Sequence, residues 1–163
     1  MAVDIFLKLD GVKGEAKDST HADELDVISW SWGGSQSGAS HMGGGSGAGK
    51  VNIQNLSITK YVDKSSPTLF LKMCGGTPIK KATLVVRKAG DKPLEYIKLT
   101  MEDLIVSDMS TGGSGGKGSD DRITEHLSLN FTKFNFEYVP QKADGSGDAS
   151  VECKWDIKKN ASF

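Results

Sequence analysis

The sequence contains little cysteine and little proline. Only two cysteines, Cys74 and Cys153, and four prolines occur among its 163 residues. Two cysteines are too few for a disulfide scaffold, and their spacing matches no metal-binding motif. No apolar run approaches the ~18 residues that a membrane-spanning helix needs. These absences argue against a disulfide-rich domain, a metal site and membrane insertion.

Neither sign of charge is in excess. Lysine and arginine number 20 against 21 aspartates and glutamates, which gives a formal net charge of −1. A chain with this balance has no net positive charge to attract the phosphates of nucleic acid, so its charge does not indicate nucleic-acid binding. Residues 1–8 alternate and carry an early acid at Asp4, a pattern unlike a cleavable signal peptide. We therefore expect a chain that is made in the cytoplasm and folds as one domain over residues 1–163.

Alternation of apolar and polar residues runs through most of the chain and predicts strands. Within residues 26–32, Ile28, Trp30 and Trp32 share one phase, and Ser29 and Ser31 share the other. At least seven strands with changes of phase favour a mainly β fold, namely a two-sheet closed β-barrel. The predicted barrel core includes Ile28, Trp30, Trp32 and Trp155.

Glycine, in contrast to proline, is abundant. It accounts for 20 residues and gathers in residues 33–49, 111–119 and 144–148. The first of these stretches is too long for a tight hairpin, and such a loop in a small domain is usually functional or mobile. We therefore predict long glycine-rich loops between the strands.

One short flanking α-helix is predicted after residue 65. Ser66 suits the N-cap, Pro67 suits the first helical position, and Gly75 with Gly76 supplies the stop. Two to three turns are too few for a helix to be stable alone, so this one must dock on the barrel.

Residues 44–50 match the phosphate-loop pattern G-x-x-x-x-G-K, but the context is wrong. Val51 stands where a serine or threonine must bind magnesium, and the following alternation predicts a strand where a helix is required. Neither H-x-x-H nor C-x-x-C spacing is present, and the adjacent acids at residues 102–103 and 120–121 would face opposite sides of a strand. The sequence therefore predicts no enzyme, no cofactor and no metal.

Several segments resemble the haemolysin-coregulated proteins (Hcp) of bacterial type VI secretion. They include the opening MAVDIFLK (residues 1–8), DVISWSWG (26–33), TKYVDKSSP (59–67) and STGGSGG (110–116). The resemblance covers essentially the whole chain in the same order. One departure is residues 117–120, which look like a slightly lengthened loop.

The resemblance implies a hexameric ring that stacks into the inner tube of a contractile apparatus. The implied partners are further copies of the chain, the spike and sheath proteins, and small effector cargo in the lumen. Export would use the apparatus itself, without a cleaved signal peptide. On this reading Ser29 and Ser31 face the lumen; the alternative is that both serines line a solvated outer face. The loop that would contact the next ring includes Ser37, Gly38, His41, Met42, Gly43, Gly44, Gly45, Gly47 and Gly49.

A second hypothesis comes from a different functional class. A monomeric ligand-binding β-barrel could close glycine-rich loops over a small molecule or sugar. The mass of the particle in solution discriminates between the two hypotheses, since one predicts six subunits and the other predicts one.

Overall fold

The computed structural model describes residues 2–37, 49–118 and 120–163. Within them the chain forms ten strands and one helix, which confirms a mainly β fold with one short helix. The strands are β1 (Val3–Leu9), β2 (Leu25–Asp26), β3 (Ser29–Ser31), β4 (Gly34–Ser35), β5 (Asn52–Ile53), β6 (Leu56–Tyr61), β7 (Ile79–Lys88), β8 (Leu94–Thr111), β9 (Thr124–Tyr138) and β10 (Val151–Asp156), and the helix is α1 (Ser65–Gly75).

Eight of the strands form one antiparallel sheet in the order β2-β1-β7-β8-β9-β6-β3, with β10 beside β9. The long strand β9 pairs with β6 along its first half and with β10 along its second half. Strands β4 and β5 form a separate two-stranded ribbon. The large sheet is a half-barrel, so the prediction of a closed barrel was wrong.

The barrel does not close because the chain bends between β2 and β3. Strand β2 pairs with β1, whereas β3 pairs with β6 at the opposite end of the sheet order. At the bend, Val27 N donates to Ile5 O at 3.0 Å and Ile28 N donates to Thr59 O at 2.8 Å. These two bonds hold the ends of the sheet close together without completing a ladder between them.

One side of the half-barrel holds the core. Alternate residues of the central strands, such as Leu84, Leu99 and Leu127, are almost completely buried there. The register of β8 against β9 shifts between Val106 and Asp108, and this irregularity changes which residues of β8 point inward. Alternation therefore places the aliphatic core and the polar outer face on opposite sides of the same strands.

Helix α1 docks against β8 and begins slightly earlier than predicted. Ser66 lies inside the helix rather than at its N-cap, and Asp63 Oδ1 accepts a 2.9 Å bond from the Ser65 backbone N–H. The helix ends as predicted, because Gly76 adopts the left-handed conformation with φ 58°. Leu69 is buried against the sheet and anchors the helix.

Candidate functional site

Two cross-strand rows of small polar side chains lie on β3, β6 and β9, on the face opposite to the core. We call them together the polar surface, whose members are Ser29, Ser31, Ser57, Thr59, His126 and Ser128. In the first row Ser57 lies between Ser31 and Ser128, and the other three residues form the second row. The alternate residues of β6 and β9, such as Ile58 and Leu127, are buried in the core.

Hydrogen bonds order the side chains of the polar surface. Thr59 Oγ1 lies 2.9 Å from His126 Nδ1, and Ser57 Oγ lies 3.4 Å from Ser128 Oγ. All six residues line a concavity of about 340 Å³. The polar surface therefore offers hydroxyl groups and one imidazole. Both kinds of group can donate and accept hydrogen bonds.

A network of amides and a hydroxyl extends the polar surface towards β8. Asn130 Nδ2 donates to Asn55 Oδ1 at 2.8 Å, and Asn55 Nδ2 donates to Ser107 Oγ at 3.2 Å. Ser107 Oγ in turn donates to the backbone oxygen of Ser128 at 3.1 Å. The arrangement suits noncovalent recognition of polar groups, since all its members are neutral amides or hydroxyls.

The structure places three of the four predicted core residues against the core. Trp30, Trp32 and Trp155 are half-buried and pack on the core cluster. The Trp32 ring meets the Phe134 ring edge-on, with centroids 4.9 Å apart. Ile28 contradicts the prediction, because it is 45% exposed. The bend at Ile28 interrupts the alternation that was assumed to continue through residues 26–32.

The predicted ring-stacking loop falls largely outside the described residues. Gly38, His41, Met42, Gly43, Gly44, Gly45 and Gly47 lie in that undescribed part. Its ends, Ser37 and Gly49, are described and lie so close that a Cβ atom at Gly49 would clash with Ser37 Oγ. The ribbon of β4 and β5 supports them, with Ser35 opposite Asn52. Strand β5 also follows Lys50, where a phosphate loop would require a helix.

A buried ion cluster, which the sequence analysis missed, fastens α1 to the sheet. Lys60 Nζ lies 2.5 Å from Glu125 Oε1 and 3.0 Å from Asp63 Oδ1. Ser66 Oγ donates to Glu125 Oε1 at 2.7 Å and accepts a 3.0 Å bond from the Asp63 backbone N–H. The sequence does indicate that Lys60 is buried, because Lys60 lies on the same face of β6 as Leu56 and Ile58.

An apolar groove lies between α1 and the end of β8. It has a volume of about 560 Å³, and its walls include Val62, Pro67, Phe70 and Met109. Beside it, Leu71 on the same helix is 73% exposed. The predicted packing role of this helix therefore applies to Leu69 but not to Phe70, which is half-exposed.

Strand β10 forms an edge of the large sheet. Within the described residues its only ladder is with β9, and it has one further isolated bridge, between Asp156 and Ala161. Val151 is 65% exposed although it occupies the apolar phase of the strand. An edge strand that exposes apolar residues is a template for association with another chain.

Two glutamates face each other across β9 and β10. Glu137 lies directly opposite Glu152 in the register. Burial raises the pKa of Glu137 above its usual range, and a hydrogen bond and the charge of Glu152 raise it further. The charges of Lys98 and Lys154 act in the opposite direction but do not cancel this effect. The strand pair is therefore destabilised when both carboxyl groups are ionised.

The described residues hold no group of three or more histidine, cysteine, aspartate or glutamate side chains that could bind a metal ion. Residues 2–37, 49–118 and 120–163 also include no helix that is long and apolar enough to cross a membrane.

The chain is similar over its whole length to proteins of type VI secretion. The family model described as "Type VI secretion system effector, Hcp" matches residues 6–138. Protein hcp1 of Pseudomonas aeruginosa is 53% identical over 162 residues, which cover 98% of each chain. The solved structure of Hcp1 from Salmonella typhimurium is 39% identical, covers 100% of both chains and superposes with a TM-score of 0.81. A further structure, described as that of a type six secretion system protein, is 27% identical, covers 99% of this chain and 100% of its own, and has a TM-score of 0.91.

Proposed function

The chain belongs to the Hcp family of type VI secretion proteins, and from this premise we propose that it is a tube protein that assembles into stacked hexameric rings and carries small effector proteins in the lumen. The family consists of structural secretion proteins rather than enzymes. The observation that carries the proposal is the polar surface, in which hydroxyl and imidazole groups line a concavity.

The polar surface supports a role as the lumen wall. A channel that stays wet and releases its cargo needs hydrogen-bonding groups without a large apolar patch. Ser29 and Ser31 are exposed and leave the concavity open, whereas longer side chains would fill it. We therefore assign cargo contact to the polar surface, in which Ser31 lies at the β3 end of the cross-strand row that it forms with Ser57 and Ser128.

The unpaired edge of β10 and the groove beside α1 support assembly with further copies. Both expose apolar side chains, including Val151, Phe70 and Leu71, that a monomer would leave in water. Each buried methylene contributes about 0.8 kcal/mol, so covering these side chains favours association. A ring closes when head-to-tail contacts of this kind repeat around an axis.

We assign ring-to-ring contact to the loop between β4 and β5. Its two described ends leave a short ribbon side by side, and this ribbon is separate from the large sheet. Glycine allows such a loop to adapt to the surface that it meets. The same proposal includes spike and sheath proteins as partners, and export through the apparatus after synthesis in the cytoplasm.

The groove also favours a second candidate function, a monomeric module that binds an apolar ligand. Its volume of about 560 Å³ is within the usual range of small-molecule sites. A monomer that binds an apolar ligand in the groove would support this alternative, whereas a hexamer that carries protein cargo would exclude it.

The experiment compares cargo retention by intact rings of the parent, Ser31→Arg and Thr77→Arg. Thr77 is exposed beyond the end of α1, so its variant adds the same charge away from the polar surface. Particle mass and bound small proteins are measured on the same samples by light scattering and mass spectrometry. We expect Ser31→Arg to form rings of parental mass that lose a protein retained by the other two. Unchanged retention, or loss of the ring in Ser31→Arg alone, would contradict the lumen assignment.

A further inference from the structure

The apolar groove beside α1 has carboxyl groups at its floor. Asp63 and Glu125 line the groove together with the apolar side chains of its walls. Glu125 is only 2% exposed, and the side chain of Asp63 is largely buried as well. Both carboxyl groups therefore lie deep in the groove, and we call them the acidic floor. The groove thus offers one ligand two kinds of surface, apolar walls and a floor of carboxylate oxygens.

Lys60 neutralises only part of the acidic floor. An ammonium group has three N–H donors. The Lys60 ammonium lies 2.5 Å from Glu125 Oε1 and 3.0 Å from Asp63 Oδ1. Its third close neighbour is the backbone oxygen of Tyr61, at 3.0 Å. Lys60 therefore has no donor left for a further oxygen atom, and two ionised carboxyl groups beside one ammonium leave one negative charge uncompensated.

The other hydrogen bonds to the acidic floor use the same two oxygen atoms as Lys60. Ser66 Oγ donates to Glu125 Oε1 at 2.7 Å. The backbone N–H and the hydroxyl of Ser65 both donate to Asp63 Oδ1. No hydrogen bond from a described residue ends on Glu125 Oε2 or Asp63 Oδ2. An ionised carboxylate can only accept hydrogen bonds, so a ligand that completes the floor must be a donor.

Arg122 does not supply the missing positive charge. Its guanidinium lies over the Tyr61 ring, with Cζ 3.6 Å from the ring centroid. It also acts on a third carboxyl group, that of Asp26. Burial raises the pKa of Asp26, the charge of Asp63 raises it further, and Arg122 lowers it. Arg122 therefore adds one cation and Asp26 adds one carboxyl group, so the excess of negative charge persists.

We propose that the groove binds an aryl-alkyl ammonium ion, with the apolar body between the walls and the ammonium group donating to the free oxygen atoms of the acidic floor. A second ammonium group supplies both the charge and the donors that Lys60 leaves wanting. A neutral alcohol of the same shape would supply a donor without the charge, and a carboxylate ligand would be repelled. The groove therefore selects the ammonium ion from ligands that share one apolar body.

The walls of the groove suit the apolar body of such a ligand. Phe70 on α1 and Met109 on β8 present an aromatic ring and a thioether, which both pack well against an aromatic ring. Apolar walls also hold water away from the floor, where a charge-assisted hydrogen bond is about twice as strong as a neutral one. The site is built by a single chain and does not rest on ring assembly. Leu71 and Val151 lie outside the groove, so a bound ligand leaves them available to further copies.

Three ligands with the same apolar body test the proposal on the full chain at neutral pH. They are 4-phenylbutylammonium, 4-phenylbutanol and 4-phenylbutanoate. Binding is followed by NMR of carbon-13-labelled methionine methyl groups, and Met109→Leu assigns the signal of Met109. We expect 4-phenylbutylammonium to shift the Met109 signal saturably and to bind about tenfold or more tightly than the alcohol, with the carboxylate weakest. Equal affinities of ammonium and alcohol, no saturable shift, or a shift confined to other methionines would overturn the proposal.

Val62 provides a matched pair of variants, because its side chain lies on the wall of the groove and is partly exposed. Val62→Lys places an ammonium group beside the acidic floor and should weaken binding of 4-phenylbutylammonium about tenfold or more. Val62→Met has a similar length without the charge and should bind it like the parent. Val3→Lys, at an exposed position on β1, adds the same charge elsewhere and should also bind like the parent. Equal losses in the two Val62 variants, or the same loss in Val3→Lys, would refute recognition of the cation by the floor.

Particle mass, measured by light scattering on the same samples, separates this site from the proposed function. Rings that fail to bind 4-phenylbutylammonium would refute the site and leave ring assembly intact. Monomers that bind it with the expected preference over the alcohol would support the site and refute ring assembly.

Discussion

Lys60 Nζ lies 2.5 Å from Glu125 Oε1 with both side chains almost completely buried, and this pair joins β6 to β9 beneath the start of α1. The remaining contacts of Lys60 Nζ are Asp63 Oδ1, Tyr61 O and Ser66 Oγ, at 3.0, 3.0 and 3.4 Å. The ammonium group is therefore fully surrounded by oxygen atoms. Helix α1, and with it one wall of the apolar groove, is held in place by this cluster.

Removing one member of that pair should destabilise the chain strongly. Lys60→Met leaves Glu125 buried without its cation, which costs about 3–5 kcal/mol. The double variant Lys60→Met with Glu125→Leu removes both charges and should recover most of that loss. Chemical denaturation at a fixed chain concentration measures both. If Lys60→Met costs no more than about 1 kcal/mol, which is typical of an ordinary substitution, the pair is not a strong constraint.

The Glu137–Glu152 pair predicts a pH-dependent variant. Since burial raises the pKa of Glu137 in the fold, its contribution to stability is complete below its usual value and is lost as the pH rises. Glu137→Gln should therefore stabilise the chain at pH 7 by about 0.5 kcal/mol and have no effect near pH 4. Urea unfolding at the two values measures the difference. Glu102→Gln, beside Lys133, is the control and should not stabilise.

The bend at Ile28 predicts opposite outcomes for two large residues of one segment. Trp30 packs on the core, so Trp30→Ala should lower the free energy of unfolding by about 3 kcal/mol. Ile28 is exposed in the single chain, so Ile28→Ala should cost less than about 1 kcal/mol. Thermal melting of both variants provides the comparison. If Trp30→Ala melts like the parent, the assigned phase of this strand is wrong.

Shortening the loop between β4 and β5 should separate stacking from ring formation. Because Ser37 and Gly49 lie side by side, a short Gly-Ser linker can replace residues 38–48 without straining the ribbon. We expect rings of unchanged mass that no longer form tubes in electron micrographs and are secreted less. Loss of the ring itself would show that the loop acts within a ring rather than between rings.

The alternation of Leu56, Ser57 and Ile58 is visible in the sequence, and burial along β6 follows the same two-residue period. The glycine pair at residues 75–76 likewise predicted the helix end, because the left-handed conformation at Gly76 is a local property. The half-barrel was not predictable in this way. It depends on the bend at Ile28, which breaks the period of a segment whose residue types alone suit one continuous strand.

The two buried clusters show why candidate sites were harder to predict than the fold. Lys60 and Glu125 both occupy the apolar phase of their strands, a recognisable signal that they are buried and paired. His21 gave no such signal, because its partner Glu95 is 74 residues away in sequence and lies on another strand. Spacing cannot reveal a contact that only the packing of residues 10–24 against the sheet creates.

The central claim is that this chain forms rings, and sedimentation velocity of the purified full chain at neutral pH and micromolar concentration tests it most directly. The account predicts one dominant species with six times the 17.4 kDa mass of a single chain. A stable species of 17.4 kDa throughout that concentration range would contradict it.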